Sequence, residues 1–282
     1  MLEVAAKFVD TRATARSERR ASRRCCPSAN TESHLSLKTF DADRFDAVLF
    51  DLDGVLTATA KVHAASWKQM FDEFLVRRAQ QVGGDTVPFE IDTDYKLYVD
   101  GKPRLDGIRS FLESRGVELP PGDPGAPANY DTIAGLGKHK NGLFQQALET
   151  GDIEAYEGSI AFVHYVRSHR IRTAVVSSSH NCHPVIEAVG IENLFDVVVD
   201  GNVAARLKLA GKPAPDTFLK AAQLLEIAPS DSVVVEDAIS GVQAGSSGGF
   251  GLVIGVDRTG DAESLSRNGA DLVVTDLAEL MP

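Results

Sequence analysis

Six short apolar runs recur along the chain beyond residue 45, at 47–50, 173–177, 197–199, 233–235, 252–256 and 272–274. Between the later ones lie stretches with apolar positions at helical spacing, near 159–168, 183–189, 215–225 and 240–246. Short, continuously apolar strands alternating with helices predict a parallel sheet covered by helices on both faces. That is a doubly wound α/β arrangement, whose ligands sit beyond the carboxyl ends of the strands.

The alternation breaks between the first run and the second. Residues from about 60 to 150 read as mostly helical (63–80, 105–115 and 140–149), with a Pro/Gly-rich loop at 119–127. An insertion of about 90 residues directly after the first strand predicts a second domain standing over the strand ends. The expected division is a tail at 1–44, a Rossmann-like core at 45–60 and 151–282, and a helical cap domain at 61–150.

Charge changes this picture at one end. The chain of 282 residues has a formal charge of −11, yet residues 1–44 carry 9 Lys+Arg against 6 Asp+Glu. The rest is therefore near −14 and more acidic than the total implies. Arg16, Arg19, Arg20, Arg23 and Arg24 among Ser and Ala, with no apolar period, read as a disordered tail. An over-extended start, an organelle-targeting segment and a partner-binding arm are the readings open for it. An acidic body argues against a nucleic-acid partner, which would need a basic face. No apolar run approaches the roughly 20 residues that cross a bilayer, so no membrane partner is expected. Only three cysteines occur, Cys25, Cys26 and Cys182, without metal-ligand spacing. A reducing, cytoplasmic compartment follows. A monomer or weak dimer is expected.

Three strand ends carry candidate chemistry. The first is Asp51-Leu-Asp53-Gly54. Two acids at the end of an apolar strand are costly to bury without a cation, and carboxylate and carbonyl oxygens suit magnesium. Asp can also attack phosphorus and form an aspartyl-phosphate. Asp-Gly is equally a common turn dipeptide. The second is Glu236-Asp237, where Asp237 or Ser240 could instead cap the following helix. The third is Ser177-Ser178-Ser179 before a helix from about Cys182, which reads as an anion site or as a plain serine-rich loop. Lys212, before a proline-started helix, supplies a point charge for a phosphate or for the nucleophile; alone it would be an ordinary surface lysine.

Taken in order, Asp51-x-Asp53-Gly-x-x-Thr57, Ser177, Lys212-Pro213 and Glu236-Asp237 resemble the four motifs of the haloacid dehalogenase superfamily, over roughly residue 45 to the C-terminus. More narrowly the chain resembles the β-phosphoglucomutase group, through Asp51–Thr57 with Thr59 and His63, Ser177-Ser-Ser-His-Asn181, Gly211-Lys-Pro-Ala-Pro-Asp-Thr-Phe218 and Glu236-Asp-Ala-Ile-Ser-Gly-Val-Gln-Ala244. The resemblance implies that Asp51 is the nucleophile and Asp53 the general acid/base, lending a backbone carbonyl to Mg²⁺. Asp51, Glu236 and Asp237 would surround the metal; Ser177, Ser178 and Lys212 would hold phosphoryl oxygens. Thr59, His63, Ser179 and Asn181 are expected to contact a small phosphorylated sugar. His63 reads equally as a hinge or an ordinary helix histidine.

In the insertion, Lys102, Arg104, Lys138, His139, Lys140 and Asn141 form a basic set that reads either as a solvated surface or as a second phosphate site. Arg104, suited to bidentate capture, is the choice for that site, with Lys140 and Asn141 in support. Three positions depart from the group's pattern: Ala58 replaces an acid, His180 a lysine, and Asp100 a basic residue. The expected activity is interconversion of β-glucose 1-phosphate and glucose 6-phosphate, with a bisphosphorylated sugar as activator. The alternatives are a sugar or polyol phosphatase and a receiver-type signalling module phosphorylated on Asp.

Overall fold

A computed structural model describes residues 39–83, 87–150 and 153–282. Six parallel strands, β1 (Ala47–Phe50), β2 (Arg172–Val176), β3 (Val197–Val199), β4 (Ser232–Glu236), β5 (Leu252–Val256) and β6 (Leu272–Val274), form one sheet in the order β3-β2-β1-β4-β5-β6. Phe50 pairs with Val175 on one side and Val235 on the other, so β1 lies at the centre and its end is flanked by the ends of β2 and β4. The chain moves outward from β1 in one direction and returns to fill the other. That makes β1 and β4 the switch point where such sheets open a crevice.

The period of two along each strand decides which face a side chain joins. Val48 and Phe50, with Val175, Val233 and Val235, pack against Phe162, Val163 and Val166 of a helix at Glu157–Ser168 and against Val185 and Ile186 of one at Cys182–Ala188. Ala47 and Leu49, with Ala174, Val176 and Val234, pack on the other face against Phe218, Ala221 and Leu225 of a helix at Asp216–Leu225. Burial on both faces explains why these strands read as continuous apolar runs.

The insertion comprises α1 (Thr59–Val82), a wide π-helical segment (Ile91–Val99), α2 (Arg104–Ser114) and α3 (Ile133–Thr150). Trp67, Met70, Phe71 and Phe74 recur at helical spacing on α1, and Ile108, Phe111 and Leu112 on α2. Together with Phe89 and Leu136 they make a core separate from that of the sheet. Phe71 is its centre, with ring centroids 4.1 Å from Phe111 and 5.1 Å from Phe89.

Several elements differ from expectation. The expected tail runs to Arg44, but Phe40 is buried, stacks on Phe45 and meets Phe162 edge-on, while its N–H donates to Leu280 O. Residues 39–44 therefore belong to the core. The basic part of the tail, with Cys25 and Cys26, lies outside the described residues. The π-helical segment and two short helices, Gly201–Leu207 and Ala262–Arg267, add to the expected elements. The short helices start at Asp200 and Asp261, whose carboxylates accept from Val203 N–H and Ser264 N–H.

Candidate active site

The sheet delivers its three chemical ends to one place. Asp51 follows β1 directly, its N–H held by Val235 O at 2.9 Å, and Glu236 ends β4. Lys212 lies in the loop before the Asp216–Leu225 helix and is only 2 % exposed. Its ammonium donates to Asp51 Oδ1, to Glu236 Oε1 at 2.6 Å and to Val176 O at 3.1 Å, so one cation ties together the ends of β1, β2 and β4. The other Glu236 oxygen accepts from Asp237 N–H and Ala238 N–H, both at 2.9 Å. Burial alone would lower the lysine pKa; the charges of Asp51 and Glu236 outweigh it and keep the group protonated.

Ser177 follows β2, with its N–H on Val199 O. Its hydroxyl accepts from Ser179 N–H at 3.0 Å, which leaves its proton to donate to an anion. Ser179 repeats the pattern one step on, accepting from Asn181 N–H at 3.1 Å. Ser178 differs: its hydroxyl donates to Gly101 O at 2.7 Å, across to the insertion.

Asp53 rides on the turn leaving β1. Gly54 makes that turn possible, with φ +95 and a hydrogen at a point where a Cβ would lie 1.8 Å from Asp237 Oδ2. The turn is fixed from outside. Arg258 donates to Gly54 O at 2.8 Å and Thr275 O at 2.9 Å and lies 3.7 Å over the Tyr156 ring. Ser159 donates to Val55 O at 2.6 Å. Arg258 carries no motif signal, because its targets are backbone carbonyls.

The Asp53 carboxylate accepts from the Thr59 hydroxyl and faces His63 Nε2 at 3.5 Å, while Lys140 Nζ sits 2.7 Å from His63 Nδ1. Burial and the Lys140 charge hold the imidazole pKa below its ordinary value. With Lys140 donating to Nδ1, the neutral ring carries its proton on Nε2, toward Asp53. Burial pushes Asp53 up, but the His63 and Thr59 contacts prevail and hold it at about 2, so it is ionised. Burial and the neighbouring Arg104 charge press the Lys140 pKa well below the usual lysine range; its ammonium rests over the rings of Trp67 (5.1 Å) and Phe144 (4.8 Å).

Asp51, Glu236 and Asp237 each offer a carboxylate oxygen, all within 4.8 Å of one another. Burial first, and then neighbouring carboxylates, push the pKa values of Asp51 and Asp237 well up, even though Lys212 opposes the rise at Asp51. One lysine thus does not balance the charge, and the oxygen-only donor set fits a hard divalent cation. The alternative of Asp237 or Ser240 as a helix cap is overturned. The helix at Ile239–Ser247 follows Ala238 with no side-chain cap, and the Ser240 hydroxyl donates instead to Asp100 O at 2.8 Å.

The insertion closes the crevice. Arg104 donates to Asn141 Oδ1 at 2.8 Å, and Asn181 from the sheet side donates to the same oxygen at 3.0 Å. Arg104, Lys140, Asn141 and Asn181 are thereby brought together beside Ser179. Lys102 lines the same cavity, tied to Ser110 Oγ at 3.0 Å. Lys138 and His139 leave the expected basic set: Lys138 donates to Ala126 O, and His139 meets Glu73 (2.9 Å) and Tyr130 (2.8 Å) on the outer side. Trp67 and Tyr95 also line the cavity and were missed. The spacing of Ile91, Tyr95 and Val99 is the signal that could have found the segment carrying Tyr95. Asp100 lines it too, hydrogen-bonded to Tyr95, and burial reinforced by Glu236 pushes its pKa to about 7.

Among the described residues no helix is long and apolar enough to cross a membrane. The chain is 46 % identical over 242 residues to a protein of Mycobacterium tuberculosis named β-phosphoglucomutase, covering 85 % of this chain and 92 % of that one. A Bacillus subtilis protein of the same name is 31 % identical over 235 residues, covering 83 % and 91 %. Among solved structures, the β-phosphoglucomutase of Clostridium difficile matches with a TM-score of 0.65 and 25 % identity, covering 84 % of this chain and 93 % of that one. The pattern of the family described as "Hydrolase: haloacid dehalogenase-like hydrolase" matches residues 45–249, and the chain belongs to that family.

Proposed function

We propose that the chain is a β-phosphoglucomutase, interconverting β-glucose 1-phosphate and glucose 6-phosphate. The observation that carries the reading is the pairing of a complete phosphoryl-transfer site at the sheet with a second cationic group, Arg104 and Lys140, on the facing wall of one cavity. The 46 % identity to the mycobacterial β-phosphoglucomutase supports it.

Asp51 Oδ attacks phosphorus, an O–P bond forms, and the sugar oxygen leaves with a proton from Asp53. In the other half the free hydroxyl of the sugar monophosphate gives its proton to Asp53 and attacks the aspartyl-phosphate; the P–O bond to Asp51 breaks, and the bisphosphate intermediate so formed can present its other phosphate to the freed Asp51. Asp53 is ionised as it stands and so is ready for the second half; an adjacent phosphoryl group raises its proton affinity, which readies it for the first. Lys212 and the hydroxyls of Ser177 and Ser179 offset phosphoryl charge, and Ser178 N–H lies in the same loop. Asp51, Glu236, Asp237 and the Asp53 carbonyl are the groups to hold Mg²⁺, whose charge lowers repulsion between Asp51 and an anionic phosphate. Arg104 and Lys140 take the remote phosphate, with Asn141 and Asn181 fixing the Arg104 fork. The bisphosphorylated sugar is the activator, and a reducing cytoplasm suits the free, buried Cys182.

Steady-state turnover of β-glucose 1-phosphate with a trace of the bisphosphate tests the reading. Glucose 6-phosphate should form without matching phosphate release. Stoichiometric phosphate release would sink the mutase and leave a sugar phosphatase.

A further inference from the structure

Two hydroxyls, neither needed to complete the metal or nucleophile site, join the sheet to the insertion. Ser178 follows β2 and donates to Gly101 O at 2.7 Å; Ser240 follows β4 and donates to Asp100 O at 2.8 Å. Because β2 and β4 flank β1, the two contacts stand on either side of Asp51. They grip consecutive carbonyls of one loop between the π-helical segment and α2. Gly101 has φ +69, a conformation that favours glycine, and a Cβ there would lie 2.3 Å from Ser240 Oγ. With the loop seated, Asp100 and Gly101 line the cavity over Asp51 and Asp53, whose space for the centres of water molecules is about 60 Å³, room for a few waters. Lifting the loop widens the way in for a sugar, and with the loop down a phosphorylated Asp51 is more screened from bulk water.

We propose that Ser178 and Ser240 form a two-point latch over the nucleophile, and that they are positioning residues setting the balance between phosphoryl transfer to sugar and loss to water. A carbonyl released from either hydroxyl is hydrated as soon as the loop lifts, so each deletion favours the lifted state. A hydrogen bond of ordinary net strength makes that shift roughly 5-fold per serine and roughly 25-fold for both, if the two act independently. The partition part of the proposal rests on the mutase reading; the latch itself does not.

The chain has one tryptophan, Trp67, which lines this cavity and is 4 % exposed. Acrylamide quenching of its fluorescence reads loop lifting without reference to activity. In the full chain, Ser178→Ala, Ser240→Ala and the double variant should raise quenching stepwise. The same series should raise phosphate released per glucose 6-phosphate formed by roughly 5-fold for each single variant. Ser240 touches no proposed phosphate position, so its effect on the partition separates the latch from lost phosphate binding. A folded double variant with wild-type quenching overturns the latch, and should the double not fold, the same result in both single variants does so. Raised quenching with an unchanged partition overturns the water-exclusion role. Stoichiometric phosphate release by the unmodified chain overturns the mutase reading instead, and quenching still decides the latch.

Discussion

Replacing Lys212 by Met keeps the length and apolar stem of the side chain and removes its charge. In the folded protein this strands Asp51 and Glu236, both buried, at the ends of adjacent strands with no cation between them. Removing one partner of a buried ion pair costs about 3–5 kcal/mol, and Lys212 serves two carboxylates, so about 4 kcal/mol is the expected loss in EDTA at pH 8. For a domain of this size that corresponds to a fall in Tm of about 8–16 °C. The loss should shrink toward pH 5, because stranded carboxylates take up protons more readily folded than unfolded. It should also shrink with Mg²⁺, which supplies the missing charge. Phosphoryl transfer should fall by at least about 10²-fold at every pH, since the cation is also absent from the transition state. Urea titrations at pH 5 and pH 8, with EDTA and with Mg²⁺, measure the effect. An unchanged urea midpoint at pH 8 in EDTA would refute the reasoning, because the bridging ammonium would then contribute nothing to the fold.

Without metal, the unmodified protein should lose stability as pH rises from about 4 to 7. Asp51, Asp237 and Asp100 (to about 7) all have raised folded-state pKa values, so the folded chain holds more protons than the unfolded one in that window. Asp100 alone sets a ceiling of about 4 kcal/mol; Asp53, lowered to about 2, acts below pH 4 and does not interfere. Melting scans from pH 5 to 8 should slope downward in EDTA and flatten with Mg²⁺; identical slopes would speak against a cation site. Asp53→Asn should lower kcat by about 10²–10⁴-fold with the fold intact, and full retained turnover would show that Asp53 is not the general acid/base. Arg258→Ala removes charge-assisted bonds to Gly54 O and Thr275 O, each worth about 1.5–3 kcal/mol. It should lower kcat more than it raises KM, and a pure KM effect would show that Arg258 does not position the Asp53 turn.

The sheet was legible because its strands are buried on both faces: Ala47–Phe50 and Val233–Val235 leave no polar alternation to confuse with a helix. The strand-end acids were legible as a cation site only as a set, since a single acid after a strand can equally serve a turn or cap a helix, as Asp200 does after β3. Lys212 was legible only through its company, since nothing in one lysine before a proline announces that it is buried between two carboxylates. The cap was harder. The sequence marks Lys140 as a candidate phosphate ligand, and the folded chain also gives it His63 as a partner 77 residues away. Lys138 and His139 differ from it only in which side of α3 they occupy, and a run of three basic residues does not state its phase. The contacts of Ser178, Ser240 and Arg258 were invisible because each meets a main-chain carbonyl, a group every residue offers.

Charge placement favours the sugar over water as acceptor. The sheet side of the cavity holds Asp51, Asp53, Glu236 and Asp237 against Lys212 alone, an excess that calls for a divalent cation. The facing side holds Lys102, Arg104 and Lys140 against Asp100, and Arg104 is tied to the neutral Asn141 rather than to an acid. Desolvated cations without acidic partners are costly, so a second anion at that wall would be stabilising in its own right. A phosphatase for a monophosphate has no use for that wall once the scissile phosphate sits at Asp51. A mutase has one at every turnover, because its intermediate carries two phosphates and must present first one and then the other to the same carboxylate. If Arg104→Ala slows glucose 6-phosphate formation far more than hydrolysis of the aspartyl-phosphate, the cationic wall serves the second phosphate; equal losses in both would remove this support.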